Sequence, residues 1–362
     1  MNRMDRREFL SAAAGVGIGI GVPGITPETQ NPRPFAPGTR KRNYWVWTET
    51  NKTATDTALK AKYKKLKGHG LTGVFLGGDP VDREYEIVKA AGLELHTWMW
   101  TTNRGDDWIR KNHPDWYQVS RTGKSCFDHP PYVDYYRWIS PVIPGVQNYI
   151  RDRAAELAAR ATVDGVHLDY VRYPDVILPR ALWAKYHLDQ TEEMPEYDFC
   201  YSPHTRKAFK AASGRDPLDI KDPASDQEWL HFRYDSVTKL VQKLAKEVHG
   251  YKKLLTAAVF PTPRMARTIC RQAWDQWPLD AACPMIYHGF YNEPVEWIGE
   301  AVLENVHGAD FPIYAGLYMP DLGKVEDFTK AIHLVHKRGG AGISLFGGVS
   351  DAHWAAFEAA IR

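Results

Sequence analysis

Residues 164–174 read DGVHLDYVRYP, and the carboxylate of Asp169 is the sharpest chemical signal in the chain. A strand period of two puts His167, Asp169 and Val171 on one face, with Leu168 and Tyr170 on the other. An acid at the end of an apolar strand has no packing role, and burying it without partners costs several kcal/mol. Arg172 and Tyr173 follow at the same rim. Two readings stand side by side. In one, Asp169 is a catalytic carboxylate that the neighbouring Arg172 keeps ionised, since an adjacent positive charge lowers a carboxyl pKa. In the other, Asp169 and Arg172 are a structural ion pair fixing the loop. His167 likewise reads either as an interior histidine bonded to a neighbour or as a ligand contact.

Carboxyl groups that act as acid and base work in pairs, one protonated and one ionised. The candidates for a partner at other strand ends are Glu293 first, with Asp79 and Glu49 close behind. Glu293 closes PMIYHGFYNEP, a segment dense in polar aromatics, although an acid there also suits a helix N-terminus. Asp79 precedes Pro80 and also reads as the start of a helix. Glu49 ends the aromatic run YWVWTE without an evident packing role. Asp321, in a Pro-Asp-Leu-Gly turn, is expected to serve the turn, and Asp351 to cap the last helix.

Thirteen Trp, nineteen Tyr and thirteen Phe make the chain rich in flat apolar faces. Sugar rings stack on such faces, and large α/β cores bury them. Trp47, Trp100, Tyr287, His288 and Tyr318 fall near strand ends and are expected, with His167, Arg172 and Tyr173, to contact substrate. Trp98 and Trp100 point the same way, so only Trp100 is expected to reach the rim. Fourteen histidines occur without HExxH or equivalent spacing, so neither a metal nor any other cofactor is expected. The four cysteines show no C-x-x-C spacing. Cys283 reads as a buried thiol, whereas Cys126 and Cys200 fall in long loops that could bring them together.

The elements that must position these groups are short apolar runs alternating with amphipathic segments. The strands are expected at 44–48, 73–77, 93–101, 165–170, 254–260, 281–287, 313–318 and 342–346. Helices are expected at 57–68, 146–160, 229–248, 295–306, 325–338 and 351–362. Short buried strands alternating with helices predict a parallel sheet, and eight of them a closed (β/α)₈ barrel. An open doubly wound sheet would carry a Gly-rich turn after its first strand, and YWVWTETNKT has none. Long insertions follow the third and fourth strands. Because function in such barrels sits on the loops after the strands, these insertions are expected to form one wall of a cleft. One barrel domain is expected over 43–362.

Arg6-Arg7-Glu8-Phe9-Leu10, followed by the weakly apolar SAAAGVGIGIGVP, resembles a twin-arginine export signal. Residues 1–30 are therefore expected to be a signal peptide that engages the twin-arginine translocase, and 31–42 a Pro-rich linker. The apolar stretch is too short for a stable membrane span. Forty-six basic against forty-four acidic residues argue against nucleic acid as a partner.

The fourth-strand motif has matching context in HPDWYQVSRTGKS (113–125), PPYVDYYRW (130–138), WLHFRYDSVTKLV (229–241) and DAACPMIYHGFYNE (280–293). Together these resemble the glycosyl-hydrolase-like family 10 group of barrel proteins, over nearly the whole chain after residue 42. The resemblance implies the barrel and a glycoside hydrolase activity. Family 18 chitinases carry DGxDxDxE on the fourth strand, with the glutamate as proton donor. Aligned on Asp164-Gly165, this chain has His167, Asp169 and Val171 at the last three motif positions, so the chitinase acid is missing. The expectation is an exported glycoside hydrolase acting on a poly- or oligosaccharide. The alternative is a glycan-binding barrel without catalysis. A lyase or esterase is disfavoured, since G-x-S-x-G is missing.

Overall fold

The computed structural model describes residues 42–362. The Arg6-Arg7 pair and the linker lie outside the described residues. Eight strands run in the order β1 (Asn43–Glu49), β2 (Gly73–Gly77), β3 (Glu94–Trp100), β4 (Gly165–Asp169), β5 (Leu254–Val259), β6 (Ala281–Pro284), β7 (Tyr314–Tyr318) and β8 (Gly342–Phe346). All neighbouring pairs are parallel, and β1 pairs with both β2 and β8. Between β6 and β7 the circle is closed by two isolated parallel bridges, Ala282 to Ile313 and Met285 to Gly316. The expected (β/α)₈ barrel is therefore the fold.

The helices are α1 (Asp56–Gly68), α2 (Asp82–Ala90), α3 (Asp107–Asn112), α4 (Pro144–Ala158), α5 (Trp183–Tyr186), α6 (Pro203–Ser213), α7 (Gln227–Gly250), α8 (Pro263–Cys270), α9 (Trp297–Gly308), α10 (Val325–Lys337) and α11 (Asp351–Ile361). Side chains that alternate outward, such as Val74, Leu76, Leu95, Ile343 and Leu345, form the layer between strands and helices. The last helix is capped by Ser350, whose Oγ accepts from the His353 N–H. The cap is thus one residue earlier than expected. Asp351 sits in the first turn, where it pairs with Lys65 at 3.0 Å. β6 ends at Pro284, three residues short of its expected end.

The barrel interior explains two glycines. A Cβ on Gly73 would stand 2.4 Å from the Trp45 ring, and one on Gly77 would stand 2.6 Å from Trp98. Large indoles on β1 and β3 thus lie over strands that carry no side chain beneath them. Trp45 stacks on Phe75 with ring centroids 4.6 Å apart, and Phe75 stacks on His167 at 3.8 Å.

The two insertions pack on each other. Arg121 N–H donates to the Asp198 carbonyl at 2.9 Å, and Tyr201 N–H to the Val119 carbonyl at 2.7 Å. Tyr132 of the first stacks on Tyr197 of the second at 4.4 Å. Cys126 and Cys200, one from each insertion, are both buried free thiols, so the expected approach forms no disulfide. Among the described residues, no helix is long and apolar enough to cross a membrane.

Candidate active site

Asp169 is the last residue of β4 and is 2% exposed. Its Oδ2 accepts the indole N–H of Trp98 at 3.1 Å, and its Oδ1 accepts the backbone N–H of Tyr170 at 2.8 Å. Tyr170 itself has a φ of +51°, a left-handed conformation just past the end of the strand.

The structural ion pair of Asp169 with Arg172, one of the two readings, is not made: Arg172 pairs with Asp175 instead. Its Nη1 donates to Asp175 Oδ2 at 3.0 Å and to the Tyr173 carbonyl at 2.9 Å. Its guanidinium lies 4.7 Å from the Trp138 ring centroid and 4.8 Å from that of Phe260. Such contacts favour a planar, weakly hydrated cation. Asp175 is 3% exposed. Burial pushes its carboxyl above the usual range, and Arg172 opposes that shift.

Asp169, Arg172 and Asp175 line one cavity with Tyr136, Tyr170 and Tyr287. Leu178, Phe260, Met285 and Tyr291 complete much of the wall. Of the residues expected from sequence, this brings together Asp169, Arg172 and Tyr287. The three expected second carboxylates are elsewhere. Glu49 and Glu293 are exposed, and Asp79 pairs with Lys52 at 2.7 Å with its side chain 77% exposed. None of the three lines the cavity.

The other expected contacts divide between support and rim. Trp47 is buried, and its Nε1–H donates to His167 Nε2 at 2.9 Å. An indole nitrogen can only donate, so His167 carries its proton on Nδ1, which faces Thr256 Oγ1 at 2.9 Å. The Thr256 hydroxyl proton is then directed to His96 Nδ1, also 2.9 Å away, and His96 Nε2–H to Glu94 at 3.1 Å. His167 is thus one link in a chain of hydrogen bonds inside the barrel. Tyr173 turns outward, its hydroxyl 2.9 Å from Ser236 Oγ on α7. Tyr318, Tyr287, Phe290 and Phe346 form an aromatic cluster over β6, β7 and β8. Trp100 is half-buried, and its ring meets Tyr170 edge to face at 4.8 Å. His288 is buried, and burial lowers its pKa.

Asp321 departs from its expected role in a turn. Burial raises its carboxyl pKa to about 6, while a backbone hydrogen bond from Gly289 opposes the rise. Its Oδ2 is buried without a hydrogen-bond partner among the described residues. A Cβ on Gly289 would stand 2.7 Å from that carboxyl group, so the glycine makes room for it. Asp321 is not among the residues lining the cavity of Asp169. Among the described residues, no group of three or more His, Cys, Asp or Glu is placed to hold a metal ion.

The family model described as "Glycosyl hydrolase-like 10" matches residues 57–314. Among solved structures, the PgaB (BpsB) glycoside hydrolase domain from Bordetella bronchiseptica is similar at a TM-score of 0.64 and 14% identity, covering 88% of this chain and 96% of that one. The catalytic domain of β-amylase from Paenibacillus polymyxa is similar at 0.59 and 12% identity, covering 89% and 98%. A β-galactosidase from Marinomonas ef1 is similar at 0.60 and 9% identity, covering 88% and 59%. At these identities the likeness is one of fold. None of the curated proteins compared matches the chain.

Proposed function

The chain belongs to the glycosyl hydrolase-like 10 family, and from that premise we propose that it is an exported glycoside hydrolase. Its substrate is a poly- or oligosaccharide, and Asp169 is a catalytic carboxylate. In this reading residues 1–30 form a twin-arginine signal, 31–42 a linker and 43–362 the catalytic barrel. The observation that carries the proposal is the setting of Asp169. It is a carboxylate at the C-terminal end of a barrel strand, bonded by two N–H donors, in a cavity walled by tyrosines. Two donors hold the carboxylate in one orientation, which suits a nucleophile or base acting at an anomeric carbon. The aromatic wall supplies apolar faces for a sugar ring.

The test is release of reducing ends from a panel of polysaccharides by the purified chain, with Asp169→Asn as control. Loss of an acid–base group costs about 10²–10⁴-fold, and loss of a nucleophile at least as much. Near-wild-type turnover by a folded Asp169→Asn protein would make the residue a structural element. Retention of glycan without release of reducing ends would identify a glycan-binding barrel instead.

A further inference from the structure

Resting on the hydrolytic reading above, we propose that Asp175 is the second carboxyl of the site, the acid that protonates the leaving oxygen, and that Arg172 positions it. Hydrolysis of this type uses two carboxyl groups in different protonation states. Among the residues lining the cavity, two are carboxylic acids, Asp169 and Asp175.

Their surroundings differ in the way an acid and a base require. Asp169 accepts two N–H donors at the end of a strand. Asp175 lies on the loop after β4, ringed by tyrosine side chains. Tyr136 faces it from the first insertion, Tyr186 from α5 and Tyr291 from the segment after β6. Among the described residues, Tyr132, Tyr170 and the Cys270 thiol also stand near it and its arginine. The cation that bonds it, among the described residues, is Arg172. Burial favours the protonated form of Asp175 and outweighs the arginine.

The carboxyl is also held in place. The Arg172 guanidinium packs against the rings of Trp138 and Phe260, and the Asp175 carbonyl accepts the Tyr132 hydroxyl at 2.9 Å. Gln190 Nε2–H donates to that same hydroxyl at 3.0 Å. A loop this firmly tied presents its acid in one orientation, as proton transfer requires.

In the reaction, the bond between the anomeric carbon and the glycosidic oxygen breaks, and its electron pair stays on the oxygen. That oxygen takes the proton of Asp175. Water supplies the hydroxyl that ends on the anomeric carbon. Its remaining proton is taken up by the carboxylates, and Asp175 is reprotonated for the next cycle.

The experiment uses the sugar released by the wild-type protein. It compares the parent glycan with the 2,4-dinitrophenyl glycoside of that sugar, whose leaving group needs no proton. Asp175→Asn is expected to lose about 10²–10⁴-fold on the glycan and to retain most of its rate on the activated glycoside. Asp169→Asn is expected to lose both. The second measurement is the pH profile. Arg172→Met removes the charge that favours ionised Asp175, so the alkaline limb should move up by about one to three pH units. Arg172→Lys should leave that limb near its wild-type position. Equal losses of Asp175→Asn on the two substrates, or an unmoved limb in a folded Arg172→Met protein, would overturn the assignment while leaving the hydrolase reading intact. A wild-type protein that cleaves no glycan would overturn both.

Discussion

Trp98 reaches past its own ladder partner to hold Asp169. The backbone of Trp98 is in register with His167, yet its indole N–H meets the carboxylate two residues further along β4, at 3.1 Å. The residue in register with Asp169 is Trp100. The donor therefore comes from one layer beneath the acid, from a ring packed inside the barrel.

Replacing Trp98 by Phe keeps much of that ring and removes the donor. A hydrogen bond to a charged group contributes about 1.5–3 kcal/mol, so kcat/KM is expected to fall roughly 10- to 100-fold. Values of kcat/KM for the two proteins check this. An unchanged kcat/KM in a folded Trp98→Phe protein would show that the bond does not hold the carboxylate for reaction.

Gly77→Ala tests the same indole from beneath. The added methyl group would stand 2.6 Å from the Trp98 ring, and overpacking of this kind costs about 1–3 kcal/mol. Gly68, at the end of α1, has no atom within 4 Å of a Cβ built on it. Gly68→Ala is therefore expected to be neutral or to stabilise by up to about 1 kcal/mol. Urea midpoints of the two variants should move in opposite directions, or the second should stay still.

How much of this could be read from sequence depended on what each residue competes with. The eight strands are legible because a parallel barrel buries both faces of each strand, which produces short apolar runs set off by helices. Asp169 stands out because a carboxylate in such a run is anomalous. Asp175 does not, since Tyr-Pro-Asp-Val reads like any turn. The choice of Arg172 between two aspartates in reach is settled only by where Trp138 and Phe260 pin its guanidinium. Glu293 and Glu49 looked suitable because strand ends are the right place for an acid, but nothing in a linear sequence says which strand-end side chains turn outward. Asp321 was hidden for a different reason. Its burial against Gly289 is a contact between two loops that lie 32 residues apart.

Asp321 carries a prediction about stability. Its folded-state pKa, about 6, lies above the ordinary carboxyl value of 3.8. A raised carboxyl stabilises the fold when protonated, and that contribution is lost as pH rises from about 4 through about 6. Asp321→Asn should therefore raise the melting temperature at pH 7–8, by roughly 2–4 °C if about 1 kcal/mol is recovered. The difference should shrink towards zero below pH 4. Melting curves across pH 3.5–8 check this, and a constant offset would contradict it.

Export is tested without any substrate. Replacing Arg6 and Arg7 by Lys conserves charge but removes the paired arginines of the proposed signal. The precursor is expected to accumulate in the cytoplasm of a host with a twin-arginine translocase. Fractionation and immunoblotting read the result, and unaltered export would make the pair incidental.

The two isolated bridges between β6 and β7 leave the barrel with a seam. The other seven junctions are zipped by ladders of four or five paired residues, whereas this one has Ala282 N–H on the Pro312 carbonyl and Ile286 N–H on that of Gly316, each at 3.0 Å. Opening of a native protein begins where the fewest bonds must break at once, so amide hydrogens at Ala282 and Ile286 should exchange before those of β3 and β4. Met285, beside the seam, and Tyr287 just beyond it are also part of the cavity wall. Breathing of the barrel at this junction would widen the chamber around Asp169 from one side, while the β3–β4 side that carries the carboxylate stays shut.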